Sequence, residues 1–288
     1  MNILITGAGL IGSHCARQAV DAGNKVVLFD LSPNRDYLQK VVGKDRADVV
    51  AADMRDLPAL ISAMERNNVD TVVHTAGLIG SRVAENSYTG ATNNILGTIN
   101  VLEASRLRRV RRVVYVSTFG VYDRAKINDS VVRETHPIGG HNLYTVTKIC
   151  SEHLIHSYAE QYKLDCVIIR PSGVFGRGHY VGGSTVGKVM RELALSVIKG
   201  SRLRLTRKPT VQTNMCTAKT WVSRSFWLAR RRIPSSEFTT PAAAWSPVRR
   251  RWRKLFANWR RRRTVKVIGC KRHRKRQKRP PRSQHIKG

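Results

Sequence analysis

The stretch MNILITGAGLIG (residues 1–12) is the part of the chain that decides the fold. It begins with an apolar run of strand length and continues directly into a glycine-rich turn. An amphipathic stretch then runs to about Ala22, so the predicted order is strand, tight turn and helix. In this order Gly7 allows the turn, Gly9 lets a ligand approach the backbone, and Gly12 lets the helix pack on the strand.

A glycine turn in this setting predicts a site for a dinucleotide. The helix that follows presents free N–H groups and the positive end of its dipole to the phosphates, and Leu10 and Ile11 belong to this turn. Asp30 ends the second predicted strand, where a carboxylate accepts hydrogen bonds from the adenosine ribose hydroxyls. Because a carboxylate there repels a 2′-phosphate, the sequence predicts NAD as the cofactor rather than NADP.

The rest of the first 200 residues alternates between strand-like and helix-like segments. Further strands are predicted at residues 25–30, 48–53, 71–76, 112–117 and 165–170. Helices are predicted at residues 58–66, 94–105, 142–162 and 186–199, the last ended by Gly200, with a loop at residues 173–187. Continuous Val/Ile runs are typical of strands buried on both faces. The pattern predicts an α/β domain, a Rossmann-like doubly wound parallel sheet over residues 1–200.

Residues after the third and fourth strands are candidates for contacts with the cofactor. Asp53 and Met54 follow the third strand, where they would lie near the adenine; Asp53 is alternatively a helix N-cap. The stretch Thr75-Ala76-Gly77 follows the fourth strand and would lie along the diphosphate–ribose path. His74 is interpreted as a packed residue at the strand end rather than as a catalyst.

Tyr144 and Lys148 form a candidate catalytic pair. They are four residues apart in the long predicted helix and therefore lie on one face of it. A neighbouring ammonium favours phenolate, so Lys148 is expected to lower the pKa of Tyr144 and make it a general acid/base near neutrality. Lys148 is also expected to hold the nicotinamide ribose. A hydroxyl after the fifth strand, Ser117 or Thr118, would bind the substrate oxygen.

Taken together, these segments resemble the extended short-chain dehydrogenase/reductase family, in particular its NAD-dependent epimerase/dehydratase group. The resemblance runs from Met1 to about Gly200. It is carried by TGAGLIGSH, AADMRD, VVHTAG, NNILGTINVLEAS, YVSTFGVYD, YTVTK and IIRPSGVFGRG, in that family's order and spacing.

The resemblance implies roles for individual residues. Thr118 takes the place of the catalytic Ser/Thr, Tyr144 that of the acid/base, and Lys148 that of its partner. Asn94 looks like the asparagine of the cofactor loop, and Arg170-Pro171 looks like the strand end beside the nicotinamide. Ser117, Tyr144 and Lys148 are also expected to contact the cofactor.

The implied activity is hydride transfer between NAD and a nucleotide sugar or a similar alcohol or ketone. The glycine turn is one residue shorter than is usual in extended members, which affects individual phosphate contacts. Phe119-Gly120 stand where nucleotide-sugar dehydratases carry an Asp-Glu pair, so elimination of water is not expected. Epimerisation through a transient keto sugar and simple oxidoreduction both remain open. Family members often form homodimers.

Residues 201–288 differ sharply in composition from the preceding 200. They contain 28 Lys+Arg, a single acid and all five Trp, whereas residues 1–200 contain 24 Lys+Arg and 18 Asp+Glu. Like charges at this density predict a largely disordered tail that binds polyanions without specificity. A nucleic-acid-binding function for the basic tract at residues 249–287 is one alternative function. A non-catalytic NAD-binding protein is another.

The tail also reads as the product of a frameshift close to Gly200. In the family, a segment such as His-Val-Tyr-x-x-Asp-Val introduces the substrate domain. The residues NMCTAKTWV (214–222), written in one of the codon sets that encode them and regrouped from the last base of the Asn codon, give His-Val-Tyr-Gly-Lys-Asp-Val-Gly. Because most of the substrate domain is then lost, this chain is expected to bind NAD with little or no turnover.

Cysteine usage and hydropathy indicate the setting of the protein. The five cysteines are scattered, without the spacing of a zinc site, so no metal is predicted and a reduced cytoplasmic location fits best. No apolar run approaches the length of a membrane span, and the first residues do not resemble a secretory signal.

Overall fold

The structure, a computed structural model, describes residues 1–127, 132–178, 191–192, 194–196, 198 and 215–218. All of these residues fall within one compact unit. The predicted second segment, residues 201–288, therefore lies almost wholly outside the described residues.

Strands and helices alternate along the first 175 residues. The strands are β1 (Asn2–Thr6), β2 (Lys25–Asp30), β3 (Asp48–Ala51), β4 (Thr71–His74), β5 (Arg112–Val116), β6 (Cys166–Ile169), β7 (Gly173–Phe175) and β8 (Met215–Thr217). The helices are α1 (Leu10–Asp21), α2 (Arg35–Val41), α3 (Leu57–Arg66), α4 (Ser81–Glu85), α5 (Ser87–Ala91), α6 (Gly97–Leu107) and α7 (Leu143–Tyr162). Short turns of other helix types are a π-helical turn at Thr92–Leu96 and 3-10 turns at Phe119–Val121 and Arg124–Lys126.

Six strands form one parallel sheet in the order β3-β2-β1-β4-β5-β6. The order changes direction between β1 and β4, and in sheets of this kind ligands bind beyond the carboxyl ends of the strands at that point. The predicted doubly wound α/β sheet is confirmed, and the glycine turn that follows β1 lies at this switch point.

One buried cluster of the core lies between the sheet and the helices of one face. Leu4, Val72, Val113 and Ile168 come from β1, β4, β5 and β6 and are almost completely buried in one cluster. Leu102 of α6 is packed into the same cluster. Burying an aliphatic side chain contributes about 1.5–3 kcal/mol, so these central strands fix the carboxyl edge on which the site is built.

The structure departs from the sequence prediction in the segment that follows β6. The predicted loop at residues 173–187 begins with β7, and β8 pairs with β7 in parallel, Gly173 facing Met215. Disorder is therefore a wrong prediction for residues 215–217, because three paired residues are too few to leave a periodic pattern. In the predicted helix at 186–199, residues 191–192, 194–196 and 198 are helical, and the others lie outside the described residues.

Cys15, Cys150 and Cys166 are free thiols, and two of them are packing residues. Burial raises the pKa of Cys15 and of Cys166 to about 12, so neither is a reactive thiolate near neutrality. Within the described part of the chain there is no cluster of His, Cys, Asp and Glu that could hold a metal ion. No helix in the same residues is both long and apolar enough to cross a bilayer.

Candidate active site

The glycine turn after β1 has the shape that the sequence predicts. Gly7 has a φ of +84°, a conformation that favours glycine, and a Cβ there would lie 2.8 Å from the backbone of Ala76. A Cβ on Gly12 would lie 1.8 Å from the carbonyl oxygen of Gly7. Gly9 is different, since a Cβ on it would meet nothing within 4 Å. The turn is therefore closed on the protein side and open where a diphosphate would approach.

The first turn of α1 provides donors for that diphosphate. The helix begins at Leu10 after Gly9, which caps it without a side-chain hydrogen bond. Ser13 N donates to the carbonyl oxygen of Gly9 at 2.9 Å, so the helical hydrogen bonds begin there and leave the N–H groups of Leu10 and Ile11 for a ligand. These residues fit the phosphates of a dinucleotide.

Asp30 lies against this turn from the end of β2. Its Oδ2 accepts a hydrogen bond from Ala8 N at 2.7 Å, and its Oδ1 accepts one from Ser32 N at 2.8 Å. The carboxylate is thereby fixed in position beside the glycine turn. Leu31, which follows it, is 65% exposed, and sequence analysis did not select it. An exposed apolar side chain next to a carboxylate that is predicted to bind ribose is suited to cover an adenine ring, and exposure cannot be seen in sequence.

We expect Asp30→Ala to weaken NAD binding by about 10- to 100-fold, because hydrogen bonds to a charged group contribute about 1.5–3 kcal/mol. Isothermal titration calorimetry with NAD measures the change. Asp36→Ala removes the same charge from the exposed first turn of α2 and is the control. Equal affinity in the Asp30 variant and in the control would remove Asp30 from the site.

The candidates after β3 behave differently from one another. Asp53 forms an ion pair with Arg55, and the N-cap of α3 is Asp56, whose side chain accepts from Ala59 N. The alternative role of Asp53 as the N-cap is therefore wrong. The Met54 side chain is 6% exposed and is packed into the core cluster. Contact of Asp53 with the adenine stays a prediction, and Met54 can offer a ligand little beyond its backbone.

The residues at the end of β4 connect the glycine turn to α7. Thr75 Oγ1 donates to the carbonyl oxygens of Thr6, at 2.7 Å, and of Gly7, at 3.1 Å. A Cβ on Gly77 would lie 3.1 Å from Asn94 Oδ1 and 3.8 Å from Lys148 Nζ. The stretch Thr75-Ala76-Gly77 thus runs from the predicted phosphate site to the predicted catalytic lysine.

His74 is a packed residue, as predicted. It is 1% exposed, and its two ring nitrogens contact the hydroxyls of Thr6 at 2.6 Å and of Thr98 at 3.1 Å. Burial, together with the charge of Lys148, lowers the pKa of His74 to about 3. The ring is therefore neutral near pH 7, and it joins β4 to α6.

Asn94 braces the loop after β4 from the π-helical turn. Its Oδ1 accepts from Leu78 N at 2.8 Å, and its Nδ2 donates to the Leu78 carbonyl and to Thr147 Oγ1, each at 3.0 Å. A single π-helical turn inside a helix is frequent at functional sites. The side chain holds the loop that follows β4, and its role as the cofactor-loop asparagine stays a prediction.

The catalytic candidates converge at the end of β5. Lys148 is 4% exposed, and its Nζ donates to the Val116 carbonyl at 2.9 Å and lies 4.6 Å from the centre of the Tyr115 ring. Burial lowers the pKa of Lys148 to about 8. Tyr144 lies one turn earlier on α7, where its phenol interacts with the Thr118 hydroxyl.

The predicted effect of Lys148 on Tyr144 is wrong in this structure. The Tyr144 side chain keeps some surface exposure, but protein encloses its hydroxyl, and burial raises the pKa of Tyr144 to about 12, partly offset by Thr118. The Lys148 ammonium is directed to the Val116 carbonyl. Desolvation therefore outweighs the attraction that the spacing of the two residues predicts.

Comparison with known proteins identifies the family of the chain. The profile of the NAD-dependent epimerase/dehydratase family matches residues 3–215, which is well over half of the chain. The chain belongs to this family. NAD, the cofactor that the family's name gives, agrees with the prediction from Asp30.

Individual relatives of this family are nucleotide-sugar enzymes. The chain is 33% identical to a putative UDP-glucose 4-epimerase of Methanocaldococcus jannaschii over 60% of its own length and 56% of the relative's. It is also 33% identical to the UDP-glucose 4-epimerase of Mycolicibacterium smegmatis, over 61% and 57%. The chain thus spans little more than half the length of these curated relatives.

A solved structure shows the same architecture with its cofactor. The UDP-glucose 4-epimerase of Thermus thermophilus, in complex with NAD, superposes with a TM-score of 0.70 at 25% identity, over 80% of this chain and 75% of that one. An NAD complex of the DesIV dTDP-glucose 4,6-dehydratase of Streptomyces venezuelae superposes with a TM-score of 0.68 at 25% identity, over 80% and 72%.

Ser117 and Arg170 are two of the predicted cofactor contacts. Both bind Glu152, a residue that sequence analysis did not select. The Ser117 hydroxyl donates to the Glu152 carboxylate, and so does the Arg170 guanidinium. Ser117 is thereby occupied, which leaves Thr118 as the hydroxyl available to a substrate. Pro171 offers its carbonyl to Phe119 N at 2.7 Å. The signal for Glu152 was its position four residues after Lys148, on the same helix face.

Proposed function

We propose that this chain binds NAD and oxidises a secondary hydroxyl of a nucleotide sugar, the first half of an epimerisation. The observation that carries the proposal is the meeting of Tyr144, Thr118 and Lys148 at the carboxyl edge of the sheet, on the same side as the open glycine turn. The names of the relatives support a UDP-sugar as the substrate class. A simple alcohol or ketone is the second candidate.

The proposed reaction assigns one step to each residue. Tyr144 takes the proton of the sugar hydroxyl, Thr118 donates a hydrogen bond to the same oxygen, and Lys148 holds the ribose of the coenzyme. NAD supplies the acceptor for the hydride that leaves the carbinol carbon. A positively charged nicotinamide ring, if bound next to the phenol, would lower the pKa of Tyr144. An epimer would form if the hydride were returned to the opposite face of the keto sugar.

Loss of water is not part of the proposal. Phe119 and Gly120 form a 3-10 turn after Thr118, and neither side chain can act as an acid or a base. Dehydration needs a proton donor for the leaving hydroxyl in addition to the phenol. Epimerisation and oxidoreduction require only the groups already named.

Calorimetric titration with NAD, followed by addition of UDP-glucose, tests the function. We expect saturable NAD binding and then growth of the absorbance band of the reduced coenzyme. Absence of NAD binding would overturn the proposal. NAD binding without reduction by UDP-glucose, UDP-N-acetylglucosamine or a panel of simple alcohols, in a variant whose C-terminus is restored from the second reading frame, would favour the non-catalytic alternative.

We propose low turnover for this chain, because the family match ends at residue 215 and the basic tail follows. The tail is proposed to arise from a frameshift close to Gly200. Sequencing the coding DNA across codons 195–215 is expected to reveal a second frame that continues the family pattern. A second frame without family resemblance would refute the frameshift.

Two partners and a location complete the proposal. A homodimer is supported by exposed apolar side chains on and around the Tyr144 helix, namely Tyr88, Leu96 and Val146. Light scattering would detect the dimer as twice the chain mass.

The charge of the tail supports non-specific binding to polyanions, with an affinity that falls steeply as salt is added. A marked sequence preference would instead favour the nucleic-acid-binding alternative. A reduced cytoplasmic setting suits the free thiols.

A further inference from the structure

A buried ion pair that the proposed mechanism does not use lies next to the catalytic residues. Arg170 Nε donates to Glu152 Oε1 at 3.0 Å, and Arg170 Nη2 donates to Glu152 Oε2 at 2.7 Å. The two side chains are 13% and 2% exposed. Removing two charges from water costs several kcal/mol per ion, so a buried pair is weak evidence for a gain in stability. The pair therefore needs an explanation other than stability.

The pair holds the loop that carries Thr118 at two points. The hydroxyl of Ser117, which immediately precedes Thr118, donates a hydrogen bond to Glu152 Oε1. The Arg170 guanidinium lies over the ring of Tyr122, 4.8 Å from its centre, and Tyr122 follows the 3-10 turn that begins after Thr118. Ser117, at one end of this short segment, is thus bonded to the Glu152 carboxylate on α7. Tyr122, at the other end, contacts the Arg170 guanidinium, which follows β6.

The same carboxylate acts on Lys148, which lies one turn earlier on α7. Its negative charge favours the protonated ammonium, opposing the effect of burial on the pKa of Lys148. The other titratable groups that face Lys148 are Tyr115 on β5 and His74 on β4, both uncharged near neutrality, and Tyr144 lies on the preceding turn of α7. Glu152 is therefore the negatively charged group that acts on Lys148, and the guanidinium of Arg170, its ion-pair partner, carries the opposite charge.

We propose that Glu152 and Arg170 are positioning residues that act on the reaction through Thr118 and Lys148. Their pairing fixes the Thr118 hydroxyl relative to the Tyr144 helix and maintains the charge of the ammonium that holds the coenzyme ribose. This inference rests on the proposed function, because it concerns the groups that bind NAD and receive the sugar.

The pH dependence of NAD affinity, measured by calorimetry, tests the role. A protonated ammonium donates hydrogen bonds to the ribose, so the affinity of the parent protein is expected to fall as the pH rises through about 8, the pKa of Lys148. Glu152→Gln removes the favourable charge and is expected to move the midpoint down by about one pH unit. Arg170→Gln leaves the carboxylate unopposed and is expected to move it up.

Asp165→Asn is the matched control. It breaks a second ion pair, in which Arg112 lies 2.6 Å from Asp165 and is 1% exposed. This pair lies where β5 and β6 begin, away from the ends at which Ser117 and Arg170 follow them. We expect this control to have a lower Tm and an unchanged pH midpoint of NAD affinity. If Glu152→Gln acted only on stability, it would show the same two results.

An unchanged midpoint in both site variants, or shifts of the same sign, would overturn the inference. If Glu152→Gln fails to fold, the upward shift in Arg170→Gln still decides. A parent protein that binds no NAD at any pH overturns the proposed function itself, and that result is obtained before any variant is measured.

Discussion

Replacing Tyr144 with phenylalanine is expected to slow the transfer of hydride from UDP-glucose to NAD by about 10²- to 10⁴-fold, the usual contribution of a general acid/base. The change removes a single hydroxyl and keeps the ring, so the packing of α7 and the NAD affinity should remain close to those of the parent protein. Thr118 alone cannot compensate, because its hydroxyl has no tendency to ionise near neutrality.

Single-turnover formation of the reduced coenzyme measures the effect, and calorimetry checks that NAD still binds. Tyr162→Phe is the control, since Tyr162 lies on the same helix, is 44% exposed and has no part in the proposed reaction. A rate for Tyr144→Phe that matches the parent protein and the Tyr162 control would exclude Tyr144 as the acid/base. Loss of NAD binding would instead assign it a role in binding.

The sheet was predictable because each strand is a short, continuous Val/Ile run next to a recognisable glycine, polar or helical segment. β2 begins and ends at the predicted residues, and α7 begins one residue after Asn142, whose side chain caps it. The short helices α2, α4 and α5 and the strand β7 were missed, because none of them contains a continuous Val/Ile run or a helical period long enough to recognise. Such elements are stabilised by tertiary contacts, which leave too short a pattern in the sequence.

The positions of the candidate site were more predictable than its electrostatics. Sequence spacing places Tyr144 and Lys148 on one face, but it cannot tell that the ammonium turns to a carbonyl of β5 or how much water reaches the phenol. Met54 shows the same limit, because it follows the candidate Asp53 in the sequence but its side chain is buried in the core. Glu152 was missed because a glutamate inside a helix is usually a solvated side chain, and its burial depends on Arg170, 18 residues away.

The glycines of the turn provide the second large effect. Gly12→Ala is expected to destabilise the domain by about 3 kcal/mol or more, the upper end of the range for overpacking, because the new Cβ would lie 1.8 Å from the Gly7 carbonyl oxygen, a backbone atom. NAD binding should be lost with the shape of the turn. Thermal or urea unfolding measures the first effect, and calorimetry measures the second.

Gly9→Ala separates the binding role of the turn from its structural role. Its Cβ would meet no protein atom within 4 Å, and its φ of −75° suits any residue, so the Tm should match the parent protein. The methyl group would instead occupy the space through which the diphosphate approaches the helix N-terminus. NAD affinity should then fall at least about tenfold, which is about 1.4 kcal/mol. Unchanged affinity in a stable Gly9→Ala variant would place the diphosphate elsewhere, and the dinucleotide site with it.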